Sequence, residues 1–140
     1  MTFSDIKIDF GIYGDIVIED GDIALDPTLK TAVIISLFSD ARLPESIPFT
    51  ADRRGYWGDV MTDDGSETGS LLWTQERTRL NQKTIEDRKN FCNEALQWLV
   101  TDRIADSIEV TAERSAVNQD AIITKIAILK NNTNIGEISF

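Results

Sequence analysis

Asp63-Asp64-Gly65-Ser66-Glu67 is the densest run of oxygen ligands in the sequence. A calcium loop needs alternating oxygen ligands before its glycine and a glutamate at its end. Here the acids are adjacent and the spacing fails, so the run reads as a solvated acidic loop. Paired carboxylates could instead hydrolyse a glycoside, one as acid and the other as base or nucleophile. Glu76, Glu94, Glu109 and Glu113 qualify only by residue type. Glu76 stands beside Arg77 and three residues before Arg79, which favours ion pairing on a helix. No Gly-x-Ser-x-Gly elbow is present. Gly11-Ile12-Tyr13-Gly14 lacks both the pattern and the following helix of a phosphate loop.

The chain has no histidine. That removes the commonest general base, the usual zinc ligand and every Ser-His or Cys-His arrangement. A single cysteine, Cys92, allows no intrachain disulfide and no thiolate cluster. The sequence therefore assigns no catalytic, cofactor-binding or metal-binding residue. Arg114 is the sharper candidate. Strand parity puts it on one face with Ile108, Val110 and Ala112, where a guanidinium needs a partner or a place at the sheet's rim. Both readings stay open, the first as a buried ion pair involving Glu113 and Arg114.

Composition sets the frame for these residues. At 140 residues, 41% hydrophobic and 27% charged, the chain matches one ordinary globular domain, taken as residues 1–140. Lys+Arg 14 against Asp+Glu 24 gives a net charge of −10, which argues against nucleic acid and anionic membrane as partners. No apolar run approaches the ~20 residues that span a bilayer. Met1-Thr2-Phe3-Ser4-Asp5 shows no signal peptide, and the expected product is a soluble acidic protein.

The elements that would position any site follow from local pattern. Asp5 to Phe10 alternates as a half-buried strand or an extended arm, and Gly11 and Gly14 bracket a turn. Asp15–Glu19 and Asp22–Leu25 form an N-terminal β-hairpin around Asp20-Gly21, with Ile18 facing Ile23 and Ile16 facing Leu25. Asp26 caps and Pro27 starts a helix running to about Asp40. Its stripe of Leu29, Val33, Ser36 and Leu37 is widened by Ile34, Ile35 and Phe38, so it is buried on several sides or covered by a partner.

Residues 42–68, rich in Pro, Gly and acids, form a long loop. Tyr56 and Trp57 within it read equally as an aromatic plug or a partner contact. A second helix starts at Gly69 with Leu72, Trp73, Glu76 and Leu80, and Asn81 breaks it. A third runs from Gln82 or Thr84 to Thr101, with Thr84 and Asp87 as a weak capping box. Ser107–Arg114, Ala121–Lys130 and Ile135–Phe140 follow as strands, the last two joined at Asn131–Asn134. No internal repeat is expected. The fold class is α+β: an N-terminal β-hairpin, three helices and a mostly antiparallel C-terminal sheet. The last strand, with Ile135, Ile138 and Phe140, either completes this sheet, docks another chain at its open edge, or does both.

Several segments, taken in order, resemble a known family. They are Asp20-Gly21-Asp22 and the helix Thr31–Asp40, then Gly55-Tyr56-Trp57-Gly58-Asp59 and Gly69-Ser70-Leu71-Leu72-Trp73. Ala95–Val100 and Val110-Thr111-Ala112-Glu113-Arg114 complete the set. Together they resemble the Mu-like phage tail baseplate protein family over roughly residues 13–130. That family is related to the small lysozyme-like wedge protein of contractile phage baseplates and to TssE of type VI secretion. Its relatives commonly carry Glu-Pro-Arg near a strand, and Ala112-Glu113-Arg114 holds that place without the proline.

The resemblance implies a non-enzymatic structural subunit of the virion, made in the host cytoplasm and built into the tail baseplate. It implies six copies per particle, joined to the hub, the larger wedge subunits and the tail sheath, with no cofactor. The alternative is a small carboxylate-dependent cell-wall hydrolase. Candidate interface residues are Ile34, Ile35, Phe38, Tyr56, Trp57, Ile135, Ile138 and Phe140.

Overall fold

Asn81 begins the longest helix instead of breaking one. Its side chain accepts the Thr84 backbone N–H at 2.9 Å, and α2 runs over Gln82–Thr101. The computed structural model describes residues 5–9, 15–26 and 28–140. α2 lies on an antiparallel sheet in the order β7 (Ser107–Arg114), β8 (Ile122–Lys130), β9 (Thr133–Ser139). Asn131 and Asn132, both at positive φ, form the tight turn between β8 and β9. Such residues tolerate the left-handed region that a two-residue hairpin requires.

The core lies between these layers. Cys92, Leu96 and Leu99 of α2 and Ile126 of β8 are sealed from solvent, with Leu29, Val33 and Leu37 of α1 (Lys30–Phe38) completing the cluster. The Trp98 indole N–H donates to Ser36 Oγ at 3.0 Å, and that hydroxyl donates to the Ala32 carbonyl at 2.9 Å. This polar pin fixes α1 across α2, since a half-buried indole N–H needs a partner.

Among the described residues there are two α-helices, so the expectation of three is corrected. The segment after Gly69 forms only a 3₁₀ turn, Leu72–Gln75. The Thr74 hydroxyl donates to the Leu71 carbonyl, and the Trp73 indole donates to Ala41 O at 2.9 Å. Ser70 exchanges backbone bonds with Ser39 and Ala41. These tethers hold the chain against the end of α1, and threonine hydroxyls compete with helical bonding. Gly69 makes the approach possible: at φ +103°, an added Cβ would meet Ser39 O at 2.5 Å.

The N-terminal region differs most from expectation. β4 (Ile18–Glu19) and β5 (Asp22–Ile23) pair across Asp20-Gly21, with Ile18 opposite Ile23. Ile16 does not face Leu25. β3 (Asp15–Ile16) pairs with β2 (Ile8–Asp9), and β6 (Leu25–Asp26) pairs with β1 (Asp5–Ile6). Each strand changes partner at its middle residue. There three backbone bonds close a ring: Lys7 N to Ala24 O at 2.8 Å, Ala24 N to Val17 O at 2.9 Å, and Val17 N to Lys7 O at 3.1 Å.

Three two-stranded ribbons thus radiate from one junction, and the sequence behind them is a repeat after all. Asp-Ile-Lys-Ile-Asp, Asp-Ile-Val-Ile-Glu and Asp-Ile-Ala-Leu-Asp begin at residues 5, 15 and 22. In every copy the first Asp accepts the N–H of the following Ile at 2.8 Å. Unequal spacing and five-residue length hide the repeat from a search for a fixed period. Phe10, Gly11, Gly14 and Pro27, to which the strand, turn and helix-start expectations applied, lie outside the described residues.

Two stability measurements test this architecture. Gly69→Ala is expected to destabilise the protein by roughly 2–4 kcal/mol in urea unfolding, through φ strain plus the backbone clash. Gly21→Ala, with open space around it, should cost only about 1–2 kcal/mol. Burial pushes the Cys92 thiol up to about 11, with Arg88 pulling the other way. The unfolded thiol ionises first, so this contribution is full below about pH 8.5 and is lost as pH rises towards 11. The alkaline fall in stability between those limits is expected to flatten in Cys92→Ala.

Candidate functional site

The apolar helix α1 places its side chains on three different sides. Ile34 is buried inside the chain, so it leaves the set of candidate interface residues. Ile35 and Phe38 remain exposed. Phe38 meets the Phe140 ring edge-on, with centroids 5.0 Å apart. Phe140 is gripped from its other neighbourhood by Arg88, whose guanidinium carbon sits 5.2 Å from the ring centroid. Arg88 Nε also donates to Thr124 Oγ1 at 2.7 Å. Phe140 and Ile138 pack against the core, whereas Ile135 stays open.

Arg88 is the residue that sequence reasoning missed. Burial lowers its pKa from the ordinary arginine value. Its spacing four residues before Cys92 on the buried stripe was the available signal. It ties α2 to β8 through the Thr124 hydroxyl and to the residue after β9 through the Phe140 ring face.

Residues 42–68 are irregular but firmly tied. Arg53 donates to the carbonyls of Pro44 at 2.7 Å and Ile47 at 2.9 Å, and its Nε lies 3.2 Å from Glu45. Arg54 reaches Asp40 at 2.7 Å and lies 4.5 Å above the Trp73 ring. These anchors hold up a 3₁₀ turn, Trp57–Met61, at the far side of the loop. Trp57 is 70% exposed, Val60 89% and Met61 78%, and Tyr56 is exposed beside them. The aromatic pair therefore plugs no core edge. Aromatic and Met side chains grouped in this way are typical of protein contact sites.

The β7 rim is also resolved. Glu113 and Arg114 are both exposed. Arg114 Nη2 donates to the Leu80 carbonyl at 3.1 Å. The buried ion pair is corrected to a rim position, because Arg114 sits at the end of β7 where the sheet no longer lies under α2. Glu76, Glu94, Glu109 and Glu113 are all exposed. Among the described residues, no three His, Cys, Asp or Glu side chains converge as metal ligands would. No helix among them is long and apolar enough to cross a membrane.

β9 is an edge strand of the sheet. Phe140 and Thr124 exchange both backbone bonds, at 2.9 and 2.7 Å. Antiparallel alternation then points the Glu137 and Ser139 backbone groups away from β8. Among the described residues the surface thus offers an open edge, an aromatic tip and a helix face.

Comparison with known proteins fits this picture. A family model described as phage protein GP46 matches residues 29–134. The chain belongs to this Mu-like phage family. It is 40% identical over 99 residues to the Mu-like prophage FluMu protein gp46 of Haemophilus influenzae, covering 71% of this chain and 67% of that one. It is 38% identical over 104 residues to the baseplate protein gp46 of Escherichia phage Mu, covering 72% and 70%. The family span begins just before α1 and ends inside β9, so the N-terminal ribbons lie outside it.

The loop anchors make a prediction of their own. Arg53→Lys keeps the charge but loses the planar fork that serves several carbonyls at once. Limited proteolysis within residues 44–56 should quicken roughly tenfold with little change in global melting temperature.

Proposed function

We propose that the chain is a structural subunit of a phage tail baseplate. It is an inner wedge component, present in six copies around the tail axis and joined to the hub, the larger wedge subunits and the sheath. Membership of the family that includes the baseplate protein of phage Mu carries this reading. The open geometry supports it: Trp57, Val60 and Met61 stand exposed on an anchored loop, as apolar groups presented to a partner. The chain works in the virion by assembly and not by turnover. It folds as one wedge-like domain made in the host cytoplasm.

Within this role, β9 is the docking strand for sheath or a neighbouring wedge subunit. Its inward groups complete the sheet with β8, while the Glu137 and Ser139 backbone groups offer bonds to an added strand. Phe38, edge-on to the Phe140 ring, and Ile135 border that edge as apolar contacts, and exposed Ile35 is a further contact on α1.

Proline substitution separates the two uses of the strand. Proline removes a donor, and at an outward position the β8 ladder keeps its bonds. Glu137→Pro with Ser139→Pro is expected to leave folding nearly intact and to abolish sheath-bearing tails in electron micrographs. Ile138→Pro, which cuts the inner ladder, should unfold the protein. Normal tails from the double variant would overturn the docking role. Peptidoglycan turnover by the purified chain, lost on replacing one carboxylate without unfolding, would overturn the non-catalytic reading.

A further inference from the structure

Gly136 leaves a gap in the inner face of the sheet. It stands opposite Ile128 and two residues before Ile138, and both of those side chains pack on the core side. Strand alternation puts Gly136 on the same face. Ile135 beside it has no partner on β8, so β9 bulges here. A glycine inside a strand marks a bulge or a place that another group approaches closely. Next to it lies a cavity of about 200 Å³. Leu29 and Val33 wall it on the α1 side, Ile128 and Ile138 on the sheet side, and exposed Lys30 and Ile135 border its opening. An apolar cavity of about 150 Å³ holds a benzene ring, so this one has room for a Leu or Phe side chain.

The cavity adjoins the open edge of the sheet. Phe140 exchanges both backbone bonds with Thr124, so Ile138 and Gly136, in the same phase, also turn their backbone groups towards β8. In a strand added antiparallel outside β9, the residue facing Gly136 therefore falls in a non-hydrogen-bonded pair, where side chains lie closest. That residue shares the face of Gly136 and reaches the cavity. A large side chain opposite an edge glycine also covers its bare backbone.

We propose that this cavity anchors an extended segment of another tail protein, which adds to β9 and seats a leucine or aromatic side chain beside Gly136. The proposal rests on the docking role of β9 and deepens it. Backbone bonds accept any strand, whereas an apolar cavity at one register selects a side chain. A second copy of β9 does not supply that side chain. Paired antiparallel with itself, β9 sets Gly136 against Asn134, Gly136, Ile138 or Phe140. Asn134 is polar and glycine fills nothing. Ile138 and Phe140 already pack against their own core. The Ile138 register also puts Glu137 directly opposite its own copy, which costs stability.

The test fills the cavity from within. An added Cβ at Gly136 would lie 3.6 Å from Ile128 Cδ1, an ordinary contact. Gly136→Leu should therefore keep or raise the melting temperature of the full-length chain, yet lower the yield of sheath-bearing tails roughly tenfold or more. Gly136→Ala, which leaves most of the volume free, should assemble nearly as the unaltered chain does. In assembled tails, a photo-crosslinking residue in place of Lys30 should capture an extended segment of another tail protein at or beside a Leu or aromatic residue. The same residue in place of exposed Val117, on the connection between β7 and β8, should not. Normal tails from folded Gly136→Leu would overturn the proposal. So would a Lys30 crosslink to a second copy, to a segment without such a residue, or to no other chain. Should Gly136→Leu unfold, the crosslink decides alone. If the Glu137→Pro and Ser139→Pro double variant abolishes tails while Gly136→Leu does not, the anchor is refuted and the docking edge stands. Normal tails from both refute both.

Discussion

Cys92, Leu96 and Leu99 are sealed against Ile126 between α2 and the sheet, and every other element takes its place from that seal. It is a two-layer core with one long helix on a three-stranded sheet. α1 extends it sideways, held by Leu29, Val33 and Leu37 and by the indole pin from Trp98 to Ser36. Burial at roughly 25 cal/mol per Å² of apolar surface makes this the dominant stabilising term. Only one face of each element contributes to it, so a large apolar surface remains outside.

Polar ties hold everything that the core does not reach. Arg53 and Arg54 hold the 42–68 segment, Ser70 and Trp73 hold its return, and Arg88 holds β8 through Thr124 and the end of the chain through Phe140. The N-terminal ribbons close on three backbone bonds and touch α1 through Thr31. Such attachments fix position with few buried side chains. They leave Trp57, Ile18 and Leu25 facing solvent in the isolated chain. A protein organised in this way buries one core and keeps a set of apolar side chains outside it. That accords with the family to which residues 29–134 assign it.

The acidity has a structural place as well. It concentrates in the N-terminal ribbons and in the 59–67 stretch beside the aromatic tip, not around the core. Both acidic stretches adjoin exposed apolar groups.

Local signals in the sequence determined much of this. Period-3.6 patterning located α2, β-branched alternation located β7 and β8, and Asp20-Gly21 marked its turn, because each depends on neighbours a few residues away. The lack of histidine and of spaced ligands removed most catalytic chemistry at once. What needed the tertiary structure was every choice between distant partners. Gly69–Leu80 reads as a helix, but its bonds to Ser39 and Ala41 draw it into a 3₁₀ turn. Arg114 has the parity of a buried residue, but β7 outruns the helix above it and leaves the guanidinium at the rim. Ile34 looks like part of an interface stripe until α1 is set on the core. The ribbons make the point most fully. Strands 15–19 and 22–26 could pair along their whole length, and residues 5–9 take half of each bond set instead. Local sequence specifies which residues are extended and which are apolar. Only the closed ring of three strands decides that the apolar face turns outward.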